Sequence, residues 1–248
     1  MLQGMIARFL AAVLMALAAT TANAHAQTEG HRAQMVVELF TSQGCIQCPR
    51  ANRLVGMFSR EEGVLALTFP VGIWDYLGWH DTFAQDDFTD RQRDYSRTLR
   101  VRGRFTPQLI FNGSRQISAS DWDQARATYD AQRTTGWPAN APSVSISRLR
   151  NGRVRVTVPA RANAPPSDVW LVSYDPDPVS VRITGGANLN RTVTHYNLVG
   201  RIERLAEWSG SSAWYERARC HPECAVLLQQ ANGGPILAAA YTAPARRR

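Results

Sequence analysis

Val37-Glu38-Leu39-Phe40-Thr41-Ser42-Gln43-Gly44-Cys45-Ile46-Gln47-Cys48-Pro49-Arg50-Ala51-Asn52-Arg53-Leu54 is the stretch whose reading decides the fold. Its first half is apolar, β-prone and ends in turn formers. Its second half opens a helical pattern with Pro49 just inside the start, so Cys45 and Cys48 sit where a strand turns into a helix. Unpaired N–H groups and the positive end of the helix dipole stabilise a thiolate at such a place. They can bring a C-x-x-C thiol from its free pKa of about 8.5 into the range of roughly 3.5 to 7.5. Cys45 then becomes a nucleophile at neutral pH, and Cys48, one helical turn on, closes a short disulfide or resolves a mixed one.

The same spacing supplies half of many zinc sites, where a second Cys/His pair completes the shell. The remaining cysteines, Cys220 and Cys224, enclose His221-Pro222-Glu223 far along the chain. Redox dithiol, permanent structural bridge and metal site are therefore the readings in play, and an exported chain favours the first two. The start of the sequence says export. A basic residue precedes the apolar run Phe9 to Thr20, which is too short to span a bilayer comfortably, and Ala22-Asn23-Ala24 and Ala24-His25-Ala26 offer small-residue cleavage sites. This predicts a signal peptide over residues 1–26 and a soluble periplasmic or secreted protein, in an oxidising compartment, that does not span the membrane after cleavage.

The 248 residues carry a formal charge of +8, every basic side chain other than histidine is an arginine, and 44% of residues are hydrophobic. The arginines are spread along the chain, and an exported protein rarely meets nucleic acid, so the charge reads as solubility with no nucleic-acid partner. Composition shifts at Gly136-Trp137-Pro138-Ala139-Asn140-Ala141-Pro142, dividing a first domain, 33–136, from a second, 143–243. In the first, strands are expected over 34–40 and 64–71, helices over 49–60, 83–99 and 120–133, and a hairpin over 108–117 across Asn112-Gly113. In the second, short β-branched runs over 144–148, 153–158, 169–174, 179–184, 192–198 and 236–241 suggest an antiparallel sandwich.

The order β-α-β-α-β-β-α is that of a thioredoxin-like domain. Phe40 to Cys48 resembles a glutaredoxin active-site segment, and Phe105-Thr106-Pro107-Gln108-Leu109-Ile110-Phe111-Asn112-Gly113 resembles that superfamily's Thr-Pro loop and hairpin. The resemblance implies a cis Thr106–Pro107 bond beside the dithiol, with the Thr106 backbone free to pair with an extended substrate. More narrowly, Val36 to Pro49, Trp74 to Trp79, Phe88 to Arg93 with Tyr95, Thr106 to Gln108 and Gly234 to Leu237 resemble the secreted thioredoxin-like family catalogued as domain of unknown function 1223. The chain departs from that family's pattern at Arg50 and Asn52, where a proline and an acid are usual, and at Pro70 and Gly72, where a histidine and an aspartate are.

Glu38 interrupts an apolar strand and resembles the acid through which thioredoxins exchange a proton with the second thiol; a solvated strand-end glutamate is the alternative. Trp74, Tyr76 and Trp79 form an aromatic cluster where this fold accepts insertions. They serve either as packing of the insert or as a substrate platform beside Cys45. His80 follows them and could tune a thiolate. Cys220 and Cys224 fit a small-loop disulfide or a flexible metal loop.

The sequence thus favours an α/β thioredoxin-like domain followed by a mainly β domain, acting as an exported thiol–disulfide oxidoreductase. Cys45 attacks, Cys48 resolves, Pro107 and Thr106 position the substrate and Glu38 relays a proton. Its partners are a thiol- or disulfide-bearing protein or a glutathione-like molecule, with no cofactor and no metal. The competing expectation is a non-catalytic module of the same fold, holding either a static disulfide or copper on the dithiol.

Overall fold

The computed structural model describes residues 28–217, 220 and 222–242. The expected signal peptide and His221 lie outside the described residues. The chain runs through β1 (Thr28–Glu29), β2 (His31–Arg32), β3 (Met35–Thr41), α1 (Cys48–Phe58), β4 (Val64–Pro70), α2 (Asp86–Thr98), β5 (Gln108–Phe111), β6 (Arg115–Ser118) and α3 (Trp122–Thr135). It continues with β7 (Ser145–Arg148), β8 (Val154–Val158), β9 (Ser167–Asp175), β10 (Val179–Arg182), β11 (Thr192–His195), β12 (Leu198–Trp208), β13 (Ala213–Arg217), β14 (Glu223–Gln230) and β15 (Ile236–Tyr241).

β3 is buried along its whole length, as is its parallel neighbour β4. Both are central strands covered on two faces, which is why they read as continuous apolar runs rather than alternating ones. Val37 and Leu39 face Leu54, Val55 and Phe58 of α1 and Ala125 and Tyr129 of α3, while Val36 and Phe40 face Phe88 and Tyr95 of α2. β5 pairs antiparallel with β3 and turns into β6 across Asn112-Gly113, both at positive φ as that dipeptide favours. Pro49 opens α1, and the Asp121 carboxylate caps α3 by accepting from Gln124 N at 3.0 Å. The N-terminal half is thus the expected α/β thioredoxin-like arrangement.

The C-terminal half is mainly β, and it continues the same sheet. β9, β12, β14 and β15 pair antiparallel, and β12 joins β4 in parallel with Leu198 opposite Thr68, completing the order β2-β15-β14-β9-β12-β4-β3-β5-β6. A second sheet, β1-β7-β8-β13, closes over Val169, Leu171, Val226 and Leu228 in a sandwich-like layer.

The sequence pattern predicts a strand that ends at Leu198 and none at β13 or β14, whereas β12 runs on from Leu198 to Trp208 and both later strands form. Two register shifts in β12, between Val199 and Arg201 and between Arg204 and Ala206, break the period-two pattern that would have revealed it. β14 is buried from Glu223 to Gln229, so its apolar run carries no alternation either. α2 begins at Asp86 rather than 83, with Asp86 and Asp87 favouring its positive end. No helix among the described residues is long and apolar enough to cross a membrane.

Candidate redox site

Cys45 and Cys48 are joined as a disulfide, their Cα atoms 5.4 Å apart. The chain leaves β3 at Thr41 and turns tightly. Cys45 N donates to Ser42 O at 3.2 Å, Gly44 N to Ser42 Oγ at 3.2 Å, and Cys48 N to Cys45 O at 3.2 Å. Cys48 opens α1 and is fully buried, while Cys45, just ahead of the helix, is 8% exposed. The asymmetry follows from position, since a residue ahead of the first turn meets solvent and one within it faces the sheet.

The bond between Thr106 and Pro107 is cis, and Thr106 O lies 3.6 Å from Cys45 Sγ. Gln92 of α2 holds the loop by donating from Nε2 to Phe105 O at 2.8 Å and to Gln108 Oε1 at 3.0 Å. Trp74 donates from Nε1 to Thr106 Oγ1 at 2.8 Å, so this half-buried indole is fixed against the Thr-Pro loop. Tyr76, in a 3-10 turn at Asp75–Leu77, is 75% exposed with its ring 6.3 Å from that of Trp74. Trp79 instead commits its indole N–H to Gln43 Oε1 at 2.8 Å. His80 is exposed and pairs with Asp75 at 2.6 Å.

Gln43, a turn former by sequence, is the hub of the loop. It is fully buried, its side chain also meets Thr82, and its backbone N–H donates to Asp81 Oδ2 at 2.7 Å. Burial pushes the Asp81 carboxyl above its ordinary value, opposed by the backbone N–H groups of Gln43 and Phe83. From the other side Asn188, 143 residues beyond Cys45, donates from Nδ2 to Gln43 O at 2.8 Å and to Cys45 O at 2.9 Å. Only tertiary structure brings Asp81 and Asn188 to the loop; neither belongs to a local motif.

Glu38 is buried, but the structure does not bring it to the dithiol. Strand alternation sends it to the face opposite α1, where Oε1 accepts from Arg91 Nε at 2.8 Å and Oε2 accepts from Tyr95 Oη. Arg91 further donates to Gln229 Oε1 at 3.1 Å, and Gln229 donates to Tyr95 Oη at 3.1 Å and to Gly234 O at 2.7 Å. Burial is the strongest single influence and works against the Arg91 charge, but Glu38, Tyr95 and Asp94 together outweigh it and hold the guanidinium firmly protonated. Both carboxylate oxygens are thus engaged in an ion-pair network that ties β3, α2 and β14 together.

Asn52, one of the departures from the family pattern, accepts from Thr41 Oγ1 at 2.8 Å and donates to Thr194 O at 3.0 Å, linking β3, α1 and β11. Arg50 lies over the Trp122 ring at 5.4 Å. Cys220 and Cys224 form a second, buried disulfide inside the sandwich-like layer, beside the Arg148–Glu223 ion pair. A cleft of about 450 Å³ lies away from the dithiol, between α2 and strands β9 and β12, and three of the four acids that line it, Asp90, Asp94 and Asp168, pair with arginines. Among the described residues no cluster of three or more His, Cys, Asp or Glu side chains could hold a metal ion.

The sequence profile of a family described as "Protein of unknown function (DUF1223)" matches residues 36–230. A crystal structure of an Agrobacterium tumefaciens protein superposes with a TM-score of 0.71 at 27% identity, over 87% of this chain and 96% of that one. HBP35 of Porphyromonas gingivalis superposes with a TM-score of 0.55 at 13% identity, over 88% and 79%, a likeness of fold alone. A "Probable Thioredoxin" of Archaeoglobus fulgidus is 46% identical over 37 residues, 15% of this chain; the match spans 41% of that protein's length.

Proposed function

The chain belongs to the DUF1223 family, and we propose that it is an exported thiol–disulfide oxidoreductase working through Cys45 and Cys48. One observation carries the reading: a disulfide at the start of α1 with a cis-proline loop whose Thr106 carbonyl is 3.6 Å from Cys45 Sγ. Two segments far apart in sequence meet at the more exposed sulfur, where a partner's chain must arrive. In the oxidised protein a partner thiolate attacks Cys45 Sγ, the Cys45–Cys48 bond breaks, and Cys48 leaves as a thiolate that takes up a proton. A second partner thiol then displaces Cys45, so two electrons pass to the dithiol and the partner gains a disulfide. The reverse sequence, begun by the Cys45 thiolate on a partner disulfide, reduces it. Thr106 offers its backbone to the partner, with Trp74 holding the threonine hydroxyl in place. The partner class is a thiol- or disulfide-bearing protein, or a small thiol resembling glutathione, met in the periplasm or outside the cell.

The low exposure of Cys45 favours one second reading, a static bridge in a non-catalytic module. Thiol trapping across a graded glutathione buffer separates the two. The redox reading expects Cys45–Cys48 to open at potentials typical of catalytic pairs, about −270 to −120 mV, whereas structural bridges resist below about −300 mV. It further expects Cys45→Ser to abolish exchange and Cys48→Ser to accumulate mixed disulfides. Equal behaviour of the two variants would sink it.

A further inference from the structure

Asn188 ends a 3-10 turn, Gly186–Asn188, carried by the C-terminal half, and it is fully buried. Both of its amide bonds go to the loop that carries the nucleophile, to Gln43 O and Cys45 O. Its own carbonyl, Oδ1, is buried without a partner among the described residues. A buried polar atom left unsatisfied is uncommon and calls for a reason. The amide cannot be turned to relieve it, because Oδ1 would then face two carbonyl oxygens, acceptor against acceptor. The turn itself is built for close approach: a Cβ on Gly185 would come 2.4 Å from Gly78 O.

We propose that Asn188 is a positioning residue for the dithiol, its amide fixing the Cys45 loop and offsetting the carbonyl dipoles that oppose a thiolate there. The inference rests on the redox reading of Cys45 and Cys48 given above. The Cys45 carbonyl already accepts from Cys48 N at 3.2 Å, and the Asn188 N–H adds a second positive dipole end beside the nucleophile. Asn188 and Gln43 are fully buried behind the loop, and dipoles on that side act with little screening. They favour the thiolate over the thiol, and so the reduced pair over the bridge. The C-terminal half is thereby part of the redox site.

The test compares the wild-type protein with Asn188→Asp, Asn188→Ser and Asn197→Ser in equilibrium with glutathione, together with titration of the Cys45 thiolate. Asn197 is the control, because its amide makes a similar tether, to Ala66 O at 2.7 Å, within the sheet rather than to the dithiol loop. Both Asn188 variants should raise the Cys45 thiol pKa and shift the equilibrium toward the disulfide by about tenfold, equivalent to about 30 mV. Asn197→Ser should lower the melting temperature and leave the equilibrium in place. Asn188 variants that stay with the wild type, or an Asn197 variant that shifts equally, would overturn the proposal. Should the Asn188 variants fail to fold, side-chain amide NMR of the wild type decides: the Asn188 resonances must move on reduction, and unmoved resonances reject the role. A wild type that exchanges with no thiol at all sinks the redox reading and this inference with it. Normal exchange with indifferent Asn188 variants sinks only the inference.

Discussion

Glu38 and Arg91 form a pair in which each charge is buried against the other, with Tyr95 and Gln229 completing the network. Removing one partner strands the other, which typically costs about 3–5 kcal/mol. Glu38→Gln should therefore lower unfolding free energy by that amount in urea while leaving thiol exchange by the folded protein unchanged; a large loss of exchange rate at native stability would favour the proton relay. His195 supplies a pH-dependent counterpart. It is fully buried, neither ring nitrogen makes a well-formed hydrogen bond among the described residues, and the Val179 backbone is a polar group acting on it. Burial lowers its pKa from 6.5 to about 4. Below 6.5 the unfolded chain binds a proton that the native state refuses, so stability falls as pH drops from 6.5 toward 4 and is unaffected above that window. The loss amounts to about 3 kcal/mol. His195→Phe should remove that acid limb from a plot of urea midpoint against pH, and a limb of undiminished size would assign the loss to other groups.

At the scale of elements, α1 does two jobs: it presents the dithiol at its start and presses its flank against the C-terminal half. The contact at Gly56 shows how tightly, since an added Cβ would come within 2.9 Å of Cγ, Cδ1 and Cδ2 of the Tyr196 ring. Gly56→Ala gains about 1 kcal/mol of helix propensity, but forcing a methyl into a filled contact costs about 1–3 kcal/mol. The variant should be net destabilised, and a raised melting temperature would mean that Tyr196 swings away freely. Elements of this kind mark what the sequence made legible. The strand–dithiol–helix unit, the Asn112-Gly113 hairpin and the Thr-Pro loop each rest on local chemistry, and they were readable in order. β12 was not, because its bulges break alternation, nor β14, because burial on both faces erases it. The site divides the same way: Cys45, Cys48 and Thr106-Pro107 announce themselves. Asp81 and Asn188 act only through tertiary approach, and so does the Arg91 that pairs with Glu38 across 53 residues of chain.

For the molecule as a whole, the decisive feature is the seam between β4 and β12. It is narrow in backbone terms: Thr68 N donates to Asn197 O at 3.0 Å, Thr68 Oγ1 to Tyr196 O at 2.6 Å, and Asn197 Nδ2 to Ala66 O at 2.7 Å. Its apolar contribution is broad. Leu65, Leu67 and Phe69 of β4 belong to one buried cluster with Val172, Val199, Ile202, Ala225 and Leu227 of the C-terminal strands. Cutting the chain after residue 142 would leave β4 as a long, flat, hydrophobic edge, the kind that pairs with other chains. It would also remove β14, whose Gln229 holds Arg91, and the turn that carries Asn188. We therefore expect a 28–142 fragment to associate or to lack a cooperative transition, and the full chain to unfold in urea in one step, with far-UV dichroism and tryptophan fluorescence coincident. Size-exclusion chromatography of the fragment is the direct check. A monomeric fragment with a cooperative transition would show that the N-terminal half is a domain in its own right and that the C-terminal strands only cover it. Should such a fragment also match the glutathione equilibrium of the full chain, the reach of the C-terminal half into the dithiol would have to be abandoned. A folded fragment with a shifted equilibrium would instead isolate the redox contribution of Asn188 from the stability of the sheet.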